Sequence, residues 1–292
     1  MIKKESGFYP LVLVVPALFV FTLFTIVPVL MSLTYSFTDW NIMRMDEPEF
    51  RGLLNYQRIF ADPIFIRSMM NTLLFAFSTT ALKTLFGLGL AVLLIKKVPG
   101  NGLFRTLFYL PCVLSATVIG VLFKAILTET GLLNNGLQLL GLGFLGRDWL
   151  SSYGTAMLSV IYIESWMWSG FNMMIFIAGL QAIPSDYMEV ALIEGAGRIK
   201  RFFHVTLPLL IPAFTVVVTL SMAGGLRVFE LVYVLTNGGP GFDTQVMNTY
   251  SFRAFSQGLL GESAAASIVL AAVVVTISFM LNRYLKSREV EL

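Results

Sequence analysis

The sequence predicts an all-α integral membrane protein with about six transmembrane helices. Three observations predict it. Hydrophobic residues make up 57% of the chain and charged residues only 13%, where a soluble domain carries about a quarter charged residues. The apolar residues fall in long runs, each at least the roughly 20 residues a helix needs to cross the hydrocarbon core. The polar residues gather between those runs, above all in one island at residues 184–208. A net charge of +3 with no continuous basic stripe argues against nucleic acid. The 24 glycines suit close helix packing in lipid. The single cysteine, Cys112, excludes an internal disulfide and, in its apolar setting, reads as a buried small hydrophobe.

The six spans run over about 10–37, 68–95, 103–127, 153–183, 207–235 and 259–284. Their lengths imply tilt or protruding ends. The first follows Lys3 and Lys4, yet it is too long for a signal-peptide core and lacks a small-residue cleavage site, so it reads as retained. Orientation follows from the basic residues of the loops. With the N-terminus inside, the inner segments hold Lys3, Lys4, Lys96, Lys97, Arg105, Arg198, Lys200, Arg201, Arg283, Lys286 and Arg288. The outer segments hold Arg44, Arg51, Arg58, Arg67, Arg147 and Arg253. That asymmetry predicts a cytoplasmic N-terminal segment (1–9), a transmembrane domain (10–285) and a cytoplasmic tail (286–292) in the cell (plasma or inner) membrane. The first outer loop, about 38–67, adds Asp39, Asp46, Glu47, Glu49 and Asp62 and is long enough to present a small surface.

The island falls on the cytoplasmic side. Its start, Pro184-Ser-Asp-Tyr-Met-Glu189, reads as a helix opening with Asp186 as cap and Glu189 completing a capping box. Met188, Ala191 and Leu192 share a face, and Gly195 and Gly197 end the helix and permit positive φ. A second short helix is expected to place Ile199, Phe202 and Phe203 opposite Lys200, Arg201 and His204, with Pro208 at the entry to the next span. A bare connector needs about 2–8 residues, so a segment this long and this charged is expected to meet a soluble partner.

Glu189, Ala191, Gly195, Val205, Leu207 and Pro208 fit the pattern Glu-x-Ala-x3-Gly-x9-hydrophobic-x-Leu-Pro. This resembles the cytoplasmic signature loop of permease subunits in binding-protein-dependent ABC importers. Val190 and Val205 stand where the usual form has Ala and Ile. The flanking Leu180-Gln-Ala-Ile-Pro-Ser-Asp186 and Thr236-Asn-Gly-Gly-Pro240 resemble the carbohydrate-uptake branch, of maltose and glycerol-phosphate type, and the likeness covers about residues 10–285. The resemblance implies a type I importer permease fold, with the loop as a coupling helix seated in a cytoplasmic ATPase. In it, Glu189 contacts the ATPase and Gly195 provides a bend where a side chain would clash. It also implies a second, different permease, an ATPase dimer and an extracytoplasmic substrate-binding protein as partners.

The residues fit a protein with no chemistry of its own. A phosphate loop needs Gly-x4-Gly-Lys-Ser/Thr; the nearest stretch, 131–138, lacks the lysine and the hydroxyl and reads as a turn. One histidine and one cysteine offer no metal spacing. No cofactor is expected in this chain; ATP and Mg2+ belong to the partner ATPase. A secondary transporter would need similar halves, and no convincing repeat is present.

Ionisable residues inside spans are functional candidates: Lys83, Lys124, Glu164, Arg227 and Glu230. Trp168 follows Glu164 by one turn, and Phe171 and Asn172 continue that side. Ser221, Gly225, Arg227 and Glu230 lie on the fifth span, where Arg227 and Glu230 are spaced to pair along a helix. Two readings stand. Glu164, Arg227 and Glu230 form a polar network between helices, or Glu164, Trp168, Phe171, Asn172, Ser221 and Gly225 line a sugar-sized pocket. A sugar presents hydroxyls to polar groups and C–H faces to aromatic rings. Trp166 and Met167 point elsewhere and read as packing. Gly238-Gly-Pro-Gly241 reads as a turn ending the fifth span, with contact to the binding protein as its second role.

Overall fold

The computed structural model describes residues 14–43, 45, 48–95 and 100–288. The terminal segment 1–9, the start of the first span, the end of the tail and the loop residues Arg44, Asp46, Glu47, Lys96 and Lys97 lie outside the described residues. Helices account for almost all regular structure; the isolated antiparallel bridge Thr38 to Phe50 is an exception. Four helices are long and apolar enough to cross a membrane, and up to six if each bent pair counts as one span. The chain divides into two compact units, 1–62 with 251–269, and 63–250 with 270–292.

In the first unit, α1 (Val15–Tyr35) has no buried residue and is mostly exposed. Its turn Thr22–Ile26 is π-helical, because Pro28 offers no N–H to the carbonyl four back and Val27 donates to Thr22 instead. The loop at about 38–67 is folded around α2 (Leu54–Ala61). Asn55 Nδ2 donates to the carbonyls of Ser36 (2.8 Å) and Thr38 (2.7 Å), Gly261 N–H donates to Trp40 O (2.8 Å), and Arg58 pairs with Glu262 (3.4 Å).

The second unit is built on α3 (Pro63–Leu94) and α7 (Thr155–Ala182). Fourteen of the 28 residues of α7 are buried, on all sides, so it is the central helix. Packed around the pair are α4 (Asn101–Val113), α5 (Ala116–Leu127), α10 (Ile211–Leu226) and α11 (Glu230–Thr236). Phe75, Val160, Ile163, Leu231 and Val246 fill one core region; Ala91, Met173, Phe176, Leu210 and Val217 fill another. Gly170 is required where α7 meets α4: a Cβ there would lie 1.9 Å from Phe108 O.

Four sequence expectations are corrected. The third span is two helices, not one. Pro111 removes a donor near the end of α4, and Ser115 caps α5 by accepting from the Thr117 N–H at 3.2 Å. The fifth span is likewise broken. Residues 207–209 belong to α9 (Arg198–Leu209), which meets α10 at 66°, and α10 stops at Leu226 before α11 begins. The stretch 131–138 is not a turn, since α6 (Leu132–Leu139) occupies it. Cys112 is half-buried rather than buried.

Candidate functional site

Two places collect the residues singled out by sequence. The first is a cavity of about 300 Å³ within the second unit, lined by Lys83, Glu164, Trp168, Phe171, Asn172, Leu220, Ser221 and Gly224. Helix geometry explains the set. Gly87 of α3 lies directly against Asn172 of α7. One turn back on each helix, Lys83 faces Trp168. Its side chain, leaning toward the helix N-terminus, reaches one turn further to Glu164. Lys83 Nζ donates to Glu164 Oε1 at 2.7 Å and lies 5.9 Å from the Trp168 ring centroid. Lys83 is 3% and Glu164 7% exposed. Phe171 stands edge-on to Trp168, centroids 5.8 Å apart. The third wall is α10, tied to α7 by Asn172 Nδ2 donating to Ser221 Oγ at 3.0 Å. This leaves the Asn172 amide oxygen and the Ser221 hydroxyl proton for a bound molecule.

The cavity brings together Glu164, Trp168, Phe171, Asn172 and Ser221 and leaves three predicted residues out. Gly225 faces α3, where a Cβ would lie 2.8 Å from Ala76 Cα; Gly224, one residue earlier, lines the cavity. Arg227 and Glu230 are both exposed and make no ion pair with each other. The helix that would have stacked them ends at Leu226, and α11 begins only at Glu230, after Phe229 with φ −144°. Arg227 Nε turns back to Ala223 O at 3.2 Å. The polar network expected of Glu164, Arg227 and Glu230 is therefore replaced by the Lys83–Glu164 pair. Sequence reasoning named Lys83 but not its partner; one cation and one anion buried in two spans was the available signal. It missed Asn248, whose amide satisfies the Arg227 (2.8 Å) and Val228 (3.3 Å) carbonyls freed by the break. Met167 is buried in the core, and Trp166 packs on Phe123 at 5.4 Å.

The second place is the polar island. Its first helix, α8 (Ser185–Ile193), starts one residue before Asp186, so Asp186 lies in the first turn and no side chain caps the end. Asp186 acts there on the helix dipole, and the capping box is absent. The C-terminal end is a Schellman motif: Ala196 N–H donates to Ala191 O (2.9 Å) and Gly195 N–H to Leu192 O (3.0 Å). Gly195 has φ +76°, and a Cβ added to it would meet nothing within 4 Å, so the glycine serves backbone conformation, not a clash within this chain. Gly197 has an ordinary φ of −64° and begins α9. Within α9, Phe202–Thr206 is π-helical, with Leu207 N–H bonding to Phe202 O beside Pro208, the same device as in α1. Pro208 thus shapes the end of α9, and the corner into the span is Leu210, 1% exposed.

Ala191 is buried; Val205, Leu207 and Pro208 are half-buried; Glu189 is exposed and in no ion pair among the described residues. Ile193 is 86% and Ile199 77% exposed, and Phe203 is also bare. His204 Nδ1 sits 3.1 Å from Lys200 O on the exposed side.

The model of the family described as binding-protein-dependent transport system inner membrane component matches residues 83–290, which include both places. The chain belongs to this family. This permease is 37% identical, over 99% of both chains, to the probable ABC transporter permease protein YurN of Bacillus subtilis (strain 168). It is 34% identical to the arabinooligosaccharides transport system permease protein AraP of the same organism, over 95% of this chain and 91% of that one. It is 32% identical to the trehalose/maltose transport system permease protein MalF of Thermococcus litoralis, over 94% and 91%. Its fold matches a bacterial ABC transporter involved in the import of the acidic polysaccharide alginate, with a TM-score of 0.81 at 24% identity over 94% of each chain. The permease thus has the type I importer fold expected from the signature loop.

Proposed function

We propose that this permease passes a carbohydrate through the cavity between α3, α7 and α10, driven by an ATPase that grips the loop at 184–208. The cavity carries the reading: an aromatic face, Trp168, stands beside a carboxylate, an ammonium, an amide and a hydroxyl. Trp168 takes the C–H face of a sugar ring, Asn172 and Ser221 take hydroxyls, and neither needs a charge on the solute. Relatives named for arabinooligosaccharides, trehalose/maltose and starch degradation products support the substrate class.

The loop is the mechanical half of the proposal. Its short helices are held by a Schellman end and a buried corner, so they move as a unit. Their exposed Ile193, Ile199 and Phe203 offer apolar contact, and Glu189 offers the charge. The basic asymmetry of the loops supports a cytoplasmic position for this face and for both termini. ATP and Mg2+ reside in the ATPase dimer, and a second permease completes the pathway. An extracytoplasmic binding protein delivers the sugar to the opposite face, where the 238–241 turn lies. That turn is fixed by Asp243, which accepts from Arg67 and from Gly154 N–H (3.0 Å).

Uptake of radiolabelled sugar into proteoliposomes holding the whole importer tests the cavity. Trp168→Ala is expected to reduce uptake at least about tenfold, the loss of one stacking contact and its burial, with assembly unchanged. Uptake equal to wild type removes Trp168, and with it the cavity, from the pathway.

A further inference from the structure

The cavity holds two opposite charges in contact and no other ionisable side chain on its described walls. Replacing such a pair by apolar residues is often neutral or stabilising, so burial of the pair is not explained by fold stability alone. Charges kept inside a membrane span mark function by default. We infer that the Lys83–Glu164 pair is a specificity determinant that makes the site select uncharged sugars and reject sugar acids.

This rests on the carbohydrate reading of the site and adds to it the charge class of the substrate. The two solute classes differ in what they gain in the cavity. A neutral sugar leaves the pair intact. Lys83 spends one of its three N–H groups on Glu164, which leaves donors for hydroxyls, and the second carboxylate oxygen accepts from others. A uronate or phosphate brings a negative charge to a cavity whose net charge is zero. Its attraction to Lys83 is offset by repulsion from Glu164, 2.7 Å from the ammonium, while its desolvation cost remains in full. Trp168 beside the ammonium adds a face suited to C–H groups and cations, not to anions. Removing the carboxylate alone should therefore turn a neutral-selecting site into an anion-accepting one. A pair that only locks α3 to α7 has no such effect.

The test uses the assembled importer in nanodiscs, without the binding protein, so that only the permease discriminates. Equilibrium binding of two radiolabelled probes is measured: maltose and a disaccharide of the same size ending in glucuronate. Wild type is expected to prefer maltose. Glu164→Gln is expected to shift the ratio at least about tenfold toward the uronate, the worth of one charge-assisted hydrogen bond. The exchanged double variant Lys83→Glu with Glu164→Lys restores a neutral cavity and is expected to restore the maltose preference. It stands in if Glu164→Gln fails to assemble. Wild type binding both probes equally, or an unchanged ratio in assembled Glu164→Gln, or loss of maltose preference in the exchanged variant overturns the inference. Binding of neither probe by wild type is a different failure: it removes the carbohydrate reading on which the inference rests.

Discussion

The cavity and the loop invert each other. In the cavity, two charges are buried between tightly packed helices; on the loop, large apolar side chains stand bare, Ile193 86% and Ile199 77% exposed. Each arrangement is costly in an isolated chain, since buried charge loses hydration and exposed hydrophobes keep theirs. On the proposed reading the two places serve different partners: the cavity takes a small polar solute, and the loop forms one side of an interface with the ATPase. Substitutions in the first should therefore register in stability and solute choice, and in the second in coupling.

The largest effect is expected from breaking the charge pair. Lys83→Met leaves Glu164 buried alone and should cost about 3–5 kcal/mol, whereas the double change to Met at 83 and 164 should be near neutral. Thermal melts of the purified permease in detergent measure both, and equal losses would show that the pair's charge is not what matters. Next comes Gly170→Ala, which forces α7 away from Phe108 O. A loss of about 1–3 kcal/mol is expected, the range of overpacked cores. On the loop, Gly195→Ala asks an L-residue to hold φ +76° and should cost about 1 kcal/mol locally, with little change in melting but weaker ATP-driven uptake. A melting change as large as that of Gly170→Ala would erase the contrast between the two places. The smallest effect is expected from Arg227→Ala, exposed and in no ion pair among the described residues, within about 0.5 kcal/mol by the same melts.

The same contrast separates what was legible in the sequence. The loop's backbone was legible in part, because glycine and proline are local signals: Gly195 ends α8 at φ +76°, as its position predicts. Even there, the N-cap is Pro184 and not Asp186, a displacement of two residues, and Gly197 lacks the positive φ expected of it. The cavity was legible in part. Glu164, Trp168, Phe171 and Asn172 share one face of α7, which periodicity gives. Which helix faces them is a matter of register between helices, and that is why Lys83 stood without its partner and Gly225 was chosen over Gly224. The breaks at Ser115 and Phe229 were hidden for another reason. Hydropathy is blind to a short interruption inside an apolar run, although Pro111 and Ser115 marked the first. Arg227 and Glu230 pair only on a continuous helix, and the helix is not continuous there.

The central claim, that the 184–208 loop couples an ATPase to the cavity above it, is tested most directly by Glu189→Lys. Co-purification of the ATPase and ATP-driven sugar uptake are measured together on one proteoliposome preparation. The account predicts that the variant permease folds as wild type while uptake is lost and the ATPase is released or uncoupled. Wild-type assembly together with wild-type uptake would contradict it.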